Sequence, residues 1–365
     1  MALSKIRSDS MTDNAIQSNR NFIINGAMNV AQRGTSLTGQ GASSIFLLDR
    51  FRMNTNGASA GRYTITQTAD GPSGFANCLK LDVTTDDTSI AAGERLYIEH
   101  PFEGQNLQSI AKGTSDAQSL TLSFYVKGNA AATYVAGFYD TDNNRQVSKQ
   151  FAVTTSWNRI TLTFPPDTAG AFDDDNALSL QLRFYLHAGS NYTSGTISET
   201  WIAADNSKTV GSGTTSIFDS TNRTFFITGV QLELGETGTP FEHEDIGTTL
   251  RKCQRYYFRT GYDGASNYIG AGGTYSSTAA MVMLPLPVKM RANPSAIDQS
   301  GTASHYGSWG NAATQVCSAV PVIRASSSKT TCAIDLTFSS LNSATGTYVY
   351  RIVNGSGYIG VSAEL

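Results

Sequence analysis

Charge is scarce in this chain. Only 15% of its 365 residues are Asp, Glu, Lys or Arg, against about 25% in a typical globular domain. The 26 basic and 29 acidic residues leave a net charge of −3 at pH 7, so no overall basic field attracts nucleic acid or an anionic membrane surface. The sequence therefore predicts no nucleic-acid partner.

Long apolar runs are also absent. No segment approaches the roughly 18 consecutive apolar residues that indicate a membrane-spanning helix. The N-terminal sequence MALSKIRSDSMTDNAIQS lacks the apolar core of a secretory signal peptide. We therefore expect no membrane insertion, and we expect the protein to be made and assembled in the cytoplasm.

Cysteine and histidine are too few and too scattered to indicate a catalytic or metal centre. The cysteines are Cys78, Cys253, Cys317 and Cys332, and they form no CxxC pair. The sequence contains no HExxH, GxSxG or P-loop phrase, so it gives no support to nucleophilic or metal-dependent hydrolysis. We expect buried, reduced thiols, and a later pairing of Cys317 with Cys332 stays open.

Short alternating apolar segments make up most of what is present. The clearest is residues 178–186, where Leu and Phe alternate with Ser, Gln, Arg and Tyr, the period of two that a β-strand requires. About nine such segments between residues 21 and 246 predict a jelly-roll sandwich of two antiparallel sheets. Further short strands, separated by turn-rich gaps at residues 264–274 and 300–313, predict a smaller C-terminal β-domain over residues 247–365. The predicted fold class is all-β.

Residues 1–20 differ from both predicted domains. They are polar, with isolated apolar positions such as Leu3, Ile6 and Ile16, and they cannot build a core of their own. We interpret them as an attachment arm, and a disordered tail is the alternative. Because isolated apolar residues gain burial only from a partner or a symmetry mate, we expect a homotrimer.

Three sequence segments together resemble one known group of proteins. They are NFIINGAMNVAQRGTS at residues 21–36, LLDRF at residues 47–51 and FFITGVQLELGETGTPFEHEDIGTTLRKCQRYYFR at residues 225–259, with a further echo, LPLPVKMRANPS, at residues 284–295. The sequence of these segments resembles that of bacteriophage tail-fibre and other receptor-facing virion proteins. That family pairs a carbohydrate-binding-module-like β-sandwich with a C-terminal β-domain, joined by a CQRYY segment.

The resemblance implies a function in the phage particle. It implies a non-enzymatic structural protein, a tail fibre or similar appendage, that takes part in host-surface glycan recognition and adsorption. It agrees with a homotrimer, and it implies that residues 1–20 bind another virion protein. Two alternatives stay open: a purely structural head fibre, decoration or baseplate protein, and a glycan-degrading tail enzyme.

Acidic residues cluster in two stretches whose composition is typical of turns. These are Asp140 with Asp142 in DTDNN, and residues 173–175. Turns select Asp and Asn whatever the function, so a carboxylate pair for glycoside hydrolysis gains no further support here. DTDNN offers oxygen ligands at alternate positions but lacks the Gly and Glu of an EF-hand loop. We expect no cofactor, with Ca²⁺ as the alternative.

Aromatic side chains in loops are the candidates for a glycan site, because exposed rings in loops indicate function more often than rings in strands. Trp201 lies in a long polar loop, and His305, Tyr306 and Trp309 lie in the Gly-, Ser- and Asn-rich stretch 300–313. We predict that these four residues contact the glycan, with residues 300–313 as the tip. Packing of each ring beneath its own loop is the alternative.

Overall fold

A computed structural model of the protein describes residues 19–57, 59–261, 267–310, 313–341, 347–353 and 355–365. Most of the predicted arm, residues 1–18, lies outside the described residues. The described chain is almost all β-structure, with the short α-helices Ser190–Thr193 (α1) and Ile246–Gln254 (α2), which confirms the all-β fold class. None of the helices in these ranges is long and apolar enough to cross a membrane.

The chain divides into two compact units, and the division falls between Ile246 and Gly247, where the sequence places its domain boundary. The first unit contains strands β1 (Ser36–Gln40), β2 (Ile45–Phe46), β3 (Arg52–Asn56), β4 (Arg62–Thr68), β5 (Cys78–Thr85), β6 (Arg95–Glu103), β7 (Leu120–Gly128), β8 (Ala132–Asp140), β9 (Arg145–Val153), β10 (Asn158–Phe164), β11 (Leu178–Ala188), β12 (Ile202–Ala203) and β13 (Thr224–Leu234).

These strands form a jelly-roll sandwich of two antiparallel sheets, as predicted. One sheet has six strands in the order β1-β4-β5-β13-β7-β10, and the other has seven in the order β12-β9-β8-β11-β6-β3-β2. Apolar side chains from both sheets meet in a single core. Phe124 of β7 meets Phe184 of β11 edge to face, with ring centroids 5.0 Å apart.

Strand β11 carries large side chains on both of its faces. Leu182 and Phe184 face the core, and Arg183 and Tyr185 therefore lie on the outer face of the seven-stranded sheet. Arg183 is opposite Glu99 of β6 on one side and Gly137 of β8 on the other. This register brings charged and aromatic residues from distant parts of the sequence onto one surface.

The two ends of the sandwich segment are bonded to each other. The backbone N–H of Phe22 donates to the carbonyl of Leu232 at 2.9 Å. The carboxylate of Glu242 accepts the backbone N–H groups of Asn19, Arg20 and Asn21, the last two at 3.0 Å. We call residues 19–22 with Leu232 and Glu242 the seam. It joins the first and last of the three segments that carry the family resemblance.

The second unit contains further short strands around its own core. They are β14 (Tyr257–Gly261), β15 (Asn267–Thr274), β16 (Ala279–Pro285), β17 (Ala296–Gln299), β18 (Tyr306–Gly310), β19 (Ala313–Val316), β20 (Val322–Ile323), β21 (Thr331–Thr337), β22 (Thr347–Ile352) and β23 (Tyr358–Ser362). Their sheets are a three-stranded one in the order β14-β23-β17 and a seven-stranded one in the order β19-β18-β22-β15-β16-β21-β20.

Two strands of the second unit contradict the sequence prediction. Strands β15 and β18 lie where we predicted turn-rich gaps. Both have antiparallel partners on each side, and this pairing outweighs the weak intrinsic strand preference of glycine. At Gly272 an added Cβ would lie only 1.8 Å from the carbonyl oxygen of Met281, so glycine there allows the neighbouring strand to approach.

All four cysteines are buried free thiols. Burial raises the pKa of the Cys317 thiol to about 12, which leaves it unreactive at neutral pH. The expectation that the thiols are buried is confirmed.

Candidate binding site

Tyr306, the central residue of the predicted tip, is part of the core. Its side chain is 0% exposed. Its hydroxyl donates to the carbonyl of Tyr358 at 2.6 Å and accepts the backbone N–H of Ser300 at 2.9 Å. The prediction that Tyr306 contacts a glycan is wrong, because the residues after position 305 form a strand whose first side chain points inward.

His305 and Trp201 also make their polar contacts within the protein. Nδ1 of His305 lies 2.8 Å from Oγ of Ser300. Trp201 is half-buried against the sandwich core, and its indole N–H donates to the carbonyl of Pro165 at 3.0 Å. Trp201 thus packs at the edge of the core beneath its own loop, which was the alternative for this residue.

Trp309 is exposed, and other exposed apolar side chains lie on the same sheet face. Its side chain is 38% exposed. The strand register places it on the outward face of the seven-stranded sheet of the second unit, together with other exposed apolar side chains. We call this surface the apolar sheet face, and its exposed members are Tyr268, Met283, Trp309, Val316 and Val322.

A second surface, which sequence analysis missed, lies on the outer face of the seven-stranded sheet of the sandwich. Strands β3, β6, β11 and β8 are successive neighbours in this sheet. We call the surface the arginine face, and its residues are Arg52, Asn54, Arg95, Glu99, Tyr139 and Arg183. The sequence signal for this face is that large polar or aromatic residues alternate with apolar ones in residues 95–99 and 181–185. Both sides of each strand therefore carry large side chains.

Arg183 is held at the centre of this face. Its guanidinium carbon lies 4.2 Å from the ring centre of Tyr139 and 5.1 Å from that of Tyr97. Its Nη1 donates to the hydroxyl of Tyr185 at 3.2 Å, and Nη2 donates to Gln181. Two rings and two hydrogen bonds therefore fix the plane of the guanidinium before any ligand arrives.

Glu99 lies beneath the arginines and anchors them. Its side chain is 1% exposed, and one of its oxygens lies 3.8 Å from Nη1 of Arg52 and the other 4.0 Å from Nε of Arg183. Asn54 donates to the same carboxylate at 3.4 Å. Burial raises the pKa of Glu99, and the arginines oppose that rise.

Arg95 is placed differently from Arg183. Its guanidinium carbon lies 4.8 Å from the ring centre of Tyr192 and 5.5 Å from that of Tyr97. Across the part of the chain that the structure describes, its side chain makes no hydrogen bond or ion pair. It is half-buried, so the two rings orient a guanidinium whose donors are unused by the described residues.

The acidic turn that suggested calcium contains a lysine ammonium. Nζ of Lys112 lies 2.6 Å from a carboxylate oxygen of Asp140 and 3.1 Å from one of Asp167. It also donates to the carbonyls of Ala169 at 2.9 Å and Gly170 at 2.6 Å. No group of three or more His, Cys, Asp or Glu side chains that could hold a metal occurs within the described ranges.

One cluster resembles the composition of a hydrolytic triad. Nδ1 of His187 lies 2.7 Å from Oγ of Ser216, and its Nε2 lies 3.3 Å from Glu94. The imidazole is fully buried, and Oγ of Ser216 accepts the N–H of Phe218 at the start of a short 3-10 helix. The histidine of a catalytic triad must reach the leaving group of the substrate, so the full burial of His187 favours a structural role.

No protein-family model matches the chain, and no curated protein matches it. Its fold is similar to that of solved structures at low identity. The enzymatically active domain of tailspike protein 4 of bacteriophage CBA120 has a TM-score of 0.30 and 13% identity, over 59% of this chain and 21% of that one. A family 11 carbohydrate-binding module from Clostridium thermocellum has a TM-score of 0.28 and 12% identity, over 57% and 98%.

The CBM22-1 xylan-binding domain of Xyn10C from Paenibacillus barcinonensis has a TM-score of 0.27 and 12% identity, over 55% of this chain and 95% of that one. Similarities of this size show neither a family nor a ligand. The functional argument therefore depends on the sequence and on the contacts described above.

Proposed function

We propose that this protein is a non-enzymatic component of a bacteriophage particle, a tail fibre or similar appendage, that binds host-surface glycan during adsorption. The observation that carries the glycan-binding part is the arginine face, where Arg183 is fixed between two tyrosine rings above a buried carboxylate. The assignment to a phage particle is supported by the sequence resemblance of residues 21–51 and 225–259 to phage tail-fibre proteins.

The chemistry of the arginine face suits a sugar better than that of the apolar sheet face does. A sugar presents hydroxyl groups at its edge and C–H groups on its faces, so a site needs placed polar groups beside an aromatic ring. Asn54, Arg52 and Arg95 supply donors on the same sheet face as the half-exposed ring of Tyr139, and Arg183 lies directly against that ring. The exposed members of the apolar sheet face supply mainly rings and aliphatic groups, and their polar side-chain groups are the Tyr268 hydroxyl and the Trp309 indole N–H.

The apolar sheet face supports the proposed homotrimer. Monomeric proteins rarely expose large contiguous apolar patches, and such patches indicate contact with another protein. The partner here is a second copy of the chain. Along the edge of this face Arg324 and Asp335 neutralise each other at 3.3 Å, so two copies meet without repulsion between these charges. In the particle, residues 1–20 bind another virion protein.

The Lys112 contacts support a fold that needs no cofactor. The ammonium supplies positive charge to two carboxylates that calcium would otherwise neutralise. Chelation with EDTA should accordingly leave the melting temperature unchanged.

Binding of the purified full chain to a panel of bacterial surface polysaccharides tests the proposal. Wild-type protein is expected to bind at least one of them, and Arg183→Gln is expected to lose that binding. Lys80→Gln, which removes a positive charge from the six-stranded sheet, is the matched control and should bind normally. Binding to none would indicate the purely structural alternative, and release of reducing sugar from a bound polysaccharide would indicate the enzyme.

A further inference from the structure

The arginine face carries an excess of positive charge. It contains the guanidinium groups of Arg52, Arg95 and Arg183 and one carboxylate, that of Glu99, which leaves a net charge of +2 (three minus one). The whole chain has a net charge of −3, so this excess is local. A local excess attracts ligands of the opposite sign and raises the rate at which they associate.

We propose that the glycan bound at this face carries negative charge, as a carboxylate or a phosphate group on its sugars. This inference rests on the proposed glycan-binding function and names the class of glycan. Guanidinium groups recognise carboxylate and phosphate through paired, charge-assisted hydrogen bonds. A neutral glycan would leave the excess charge of the face unpaired.

The arginines of the face divide into two kinds. Arg183 donates to Tyr185 and Gln181 and its side chain is only 11% exposed, so it belongs to the floor of the site with Glu99. The Arg95 guanidinium donates no hydrogen bond to a described residue. Arg52 is one-third exposed, and its Nη1 lies 3.8 Å from the Glu99 carboxylate. Arg52 and Arg95 are therefore the residues that bind the anionic groups.

Their spacing fits a chain of sugars rather than a single one. Arg52 is opposite Glu99, and Arg95 precedes Glu99 by four residues on the same strand. At about 3.3 Å per strand residue, the two arginines lie on the order of 13 Å apart along the sheet. This distance suits two charged groups on different residues of an acidic oligosaccharide.

Binding to matched acidic and neutral oligosaccharides tests the inference. The probes are oligogalacturonate, the same oligosaccharide after reduction of its carboxyl groups, and a phosphorylated mannose oligosaccharide. Calorimetric titration of the full chain is expected to show tighter binding of at least one charged probe than of the neutral one, by about tenfold or more, since hydrogen bonds to charged groups are the stronger ones. Preference for the carboxylated or the phosphorylated probe distinguishes the two sources of charge.

Two variants locate the charge preference. Arg95→Gln is expected to remove most of that preference while leaving the melting temperature unchanged, and Lys80→Gln is expected to retain it. Equal losses in both variants would show a general charge effect and would overturn the inference. Neutral glycans that bind wild-type protein as tightly as charged ones would also overturn it while leaving the proposed function intact. If no glycan of either kind binds, the proposed function fails as well.

Discussion

At the scale of single residues, the behaviour of buried charges follows from what lies next to them. Lys112, Asp140 and Asp167 are all buried, and each would be costly to bury alone. Together they form a compact group in which one ammonium meets two carboxylates and two carbonyl oxygens. The sequence indicated that Asp140 lies in a turn, but nothing near it in the sequence indicated Lys112.

The substitution Lys112→Met should strongly destabilise the sandwich. It leaves two buried carboxylates without this counter-charge, and breaking a buried ion pair from one side costs about 3–5 kcal/mol. Urea denaturation measures the change in the free energy of unfolding. Lys149→Met is the control, because Lys149 pairs with the exposed Glu199 and such surface pairs contribute at most about 1 kcal/mol. Equal losses in the two variants would contradict this account of Lys112.

Stability should fall as the pH drops below about 6.5, the usual histidine pKa. Burial lowers the pKa of His100 well below that value, and repulsion from Arg50 acts in the same direction. The unfolded chain therefore takes up a proton that the folded chain does not, so the free energy of unfolding decreases as the pH falls from 7.5 to 5.5. The slope from one histidine is at most about 1.4 kcal/mol per pH unit.

Urea denaturation at pH 7.5, 6.5 and 5.5 measures this slope, and His100→Gln should make it shallower. Burial also lowers the pKa of His187, so part of the slope should remain in the variant. A variant with the full wild-type slope would show that His100 does not control the pH dependence.

At the scale of strands and segments, alternation was a sufficient signal in the sandwich and an insufficient one elsewhere. The predicted strand at residues 178–186 corresponds closely to β11 because its apolar residues repeat at every second position. Strands β15 and β18 are rich in glycine, and they form because partners on both sides supply hydrogen bonds. Pairing between distant segments cannot be read from a local pattern.

The same limit explains the predicted site residues. Tyr306 lies in a Gly- and Ser-rich stretch that reads as a loop, but pairing turns this stretch into a strand with Tyr306 inside. From the sequence pattern alone, Arg183 and Glu99 are each indistinguishable from an ordinary polar residue on the solvent-facing side of a strand. Only the register of β6 beside β11 shows that they converge.

The seam gives a prediction at this scale. Glu242→Ala removes the acceptor of three backbone N–H groups, so residues 19–22 should exchange their amide hydrogens faster while the central strands keep their protection. Hydrogen exchange followed by mass spectrometry measures both. Glu236→Ala is the control, because Glu236 is exposed and its side chain makes only a 3.5 Å contact with Ser119 among the described residues. Unchanged exchange at residues 19–22 would show that Glu242 does not hold the seam.

At the scale of the whole molecule, the two surfaces have different chemistry and are proposed to have different partners. The arginine face is polar, charged and built on a preorganised floor, which suits a glycan. The apolar sheet face exposes Trp309, Tyr268 and Met283, which suits a second copy of the chain. This division assigns Trp309, the one exposed aromatic residue of the predicted tip, to assembly.

Trp309→Ser should therefore weaken self-association of the full-length chain. Removing a large apolar ring from a protein interface lowers affinity, and aromatic residues contribute most to such interfaces. Multi-angle light scattering over a range of micromolar concentrations is expected to show trimer for wild-type protein and a shift toward monomer for the variant. Ile90→Ser is the control, since Ile90 is 40% exposed in the other unit. Monomeric wild-type protein would contradict the proposed assembly.

The most direct test of the central claim, that the glycan binds the arginine face of the sandwich, compares two aromatic substitutions on one ligand. Tyr139→Ala removes the ring that stacks on Arg183, and Trp309→Ser removes the exposed ring of the second unit. Affinity for a bound host polysaccharide is measured on single chains in dilute solution, so that assembly does not contribute through avidity. The account predicts a loss of about tenfold or more for Tyr139→Ala and no change for Trp309→Ser. The reverse result would contradict it and would place the glycan on the second unit.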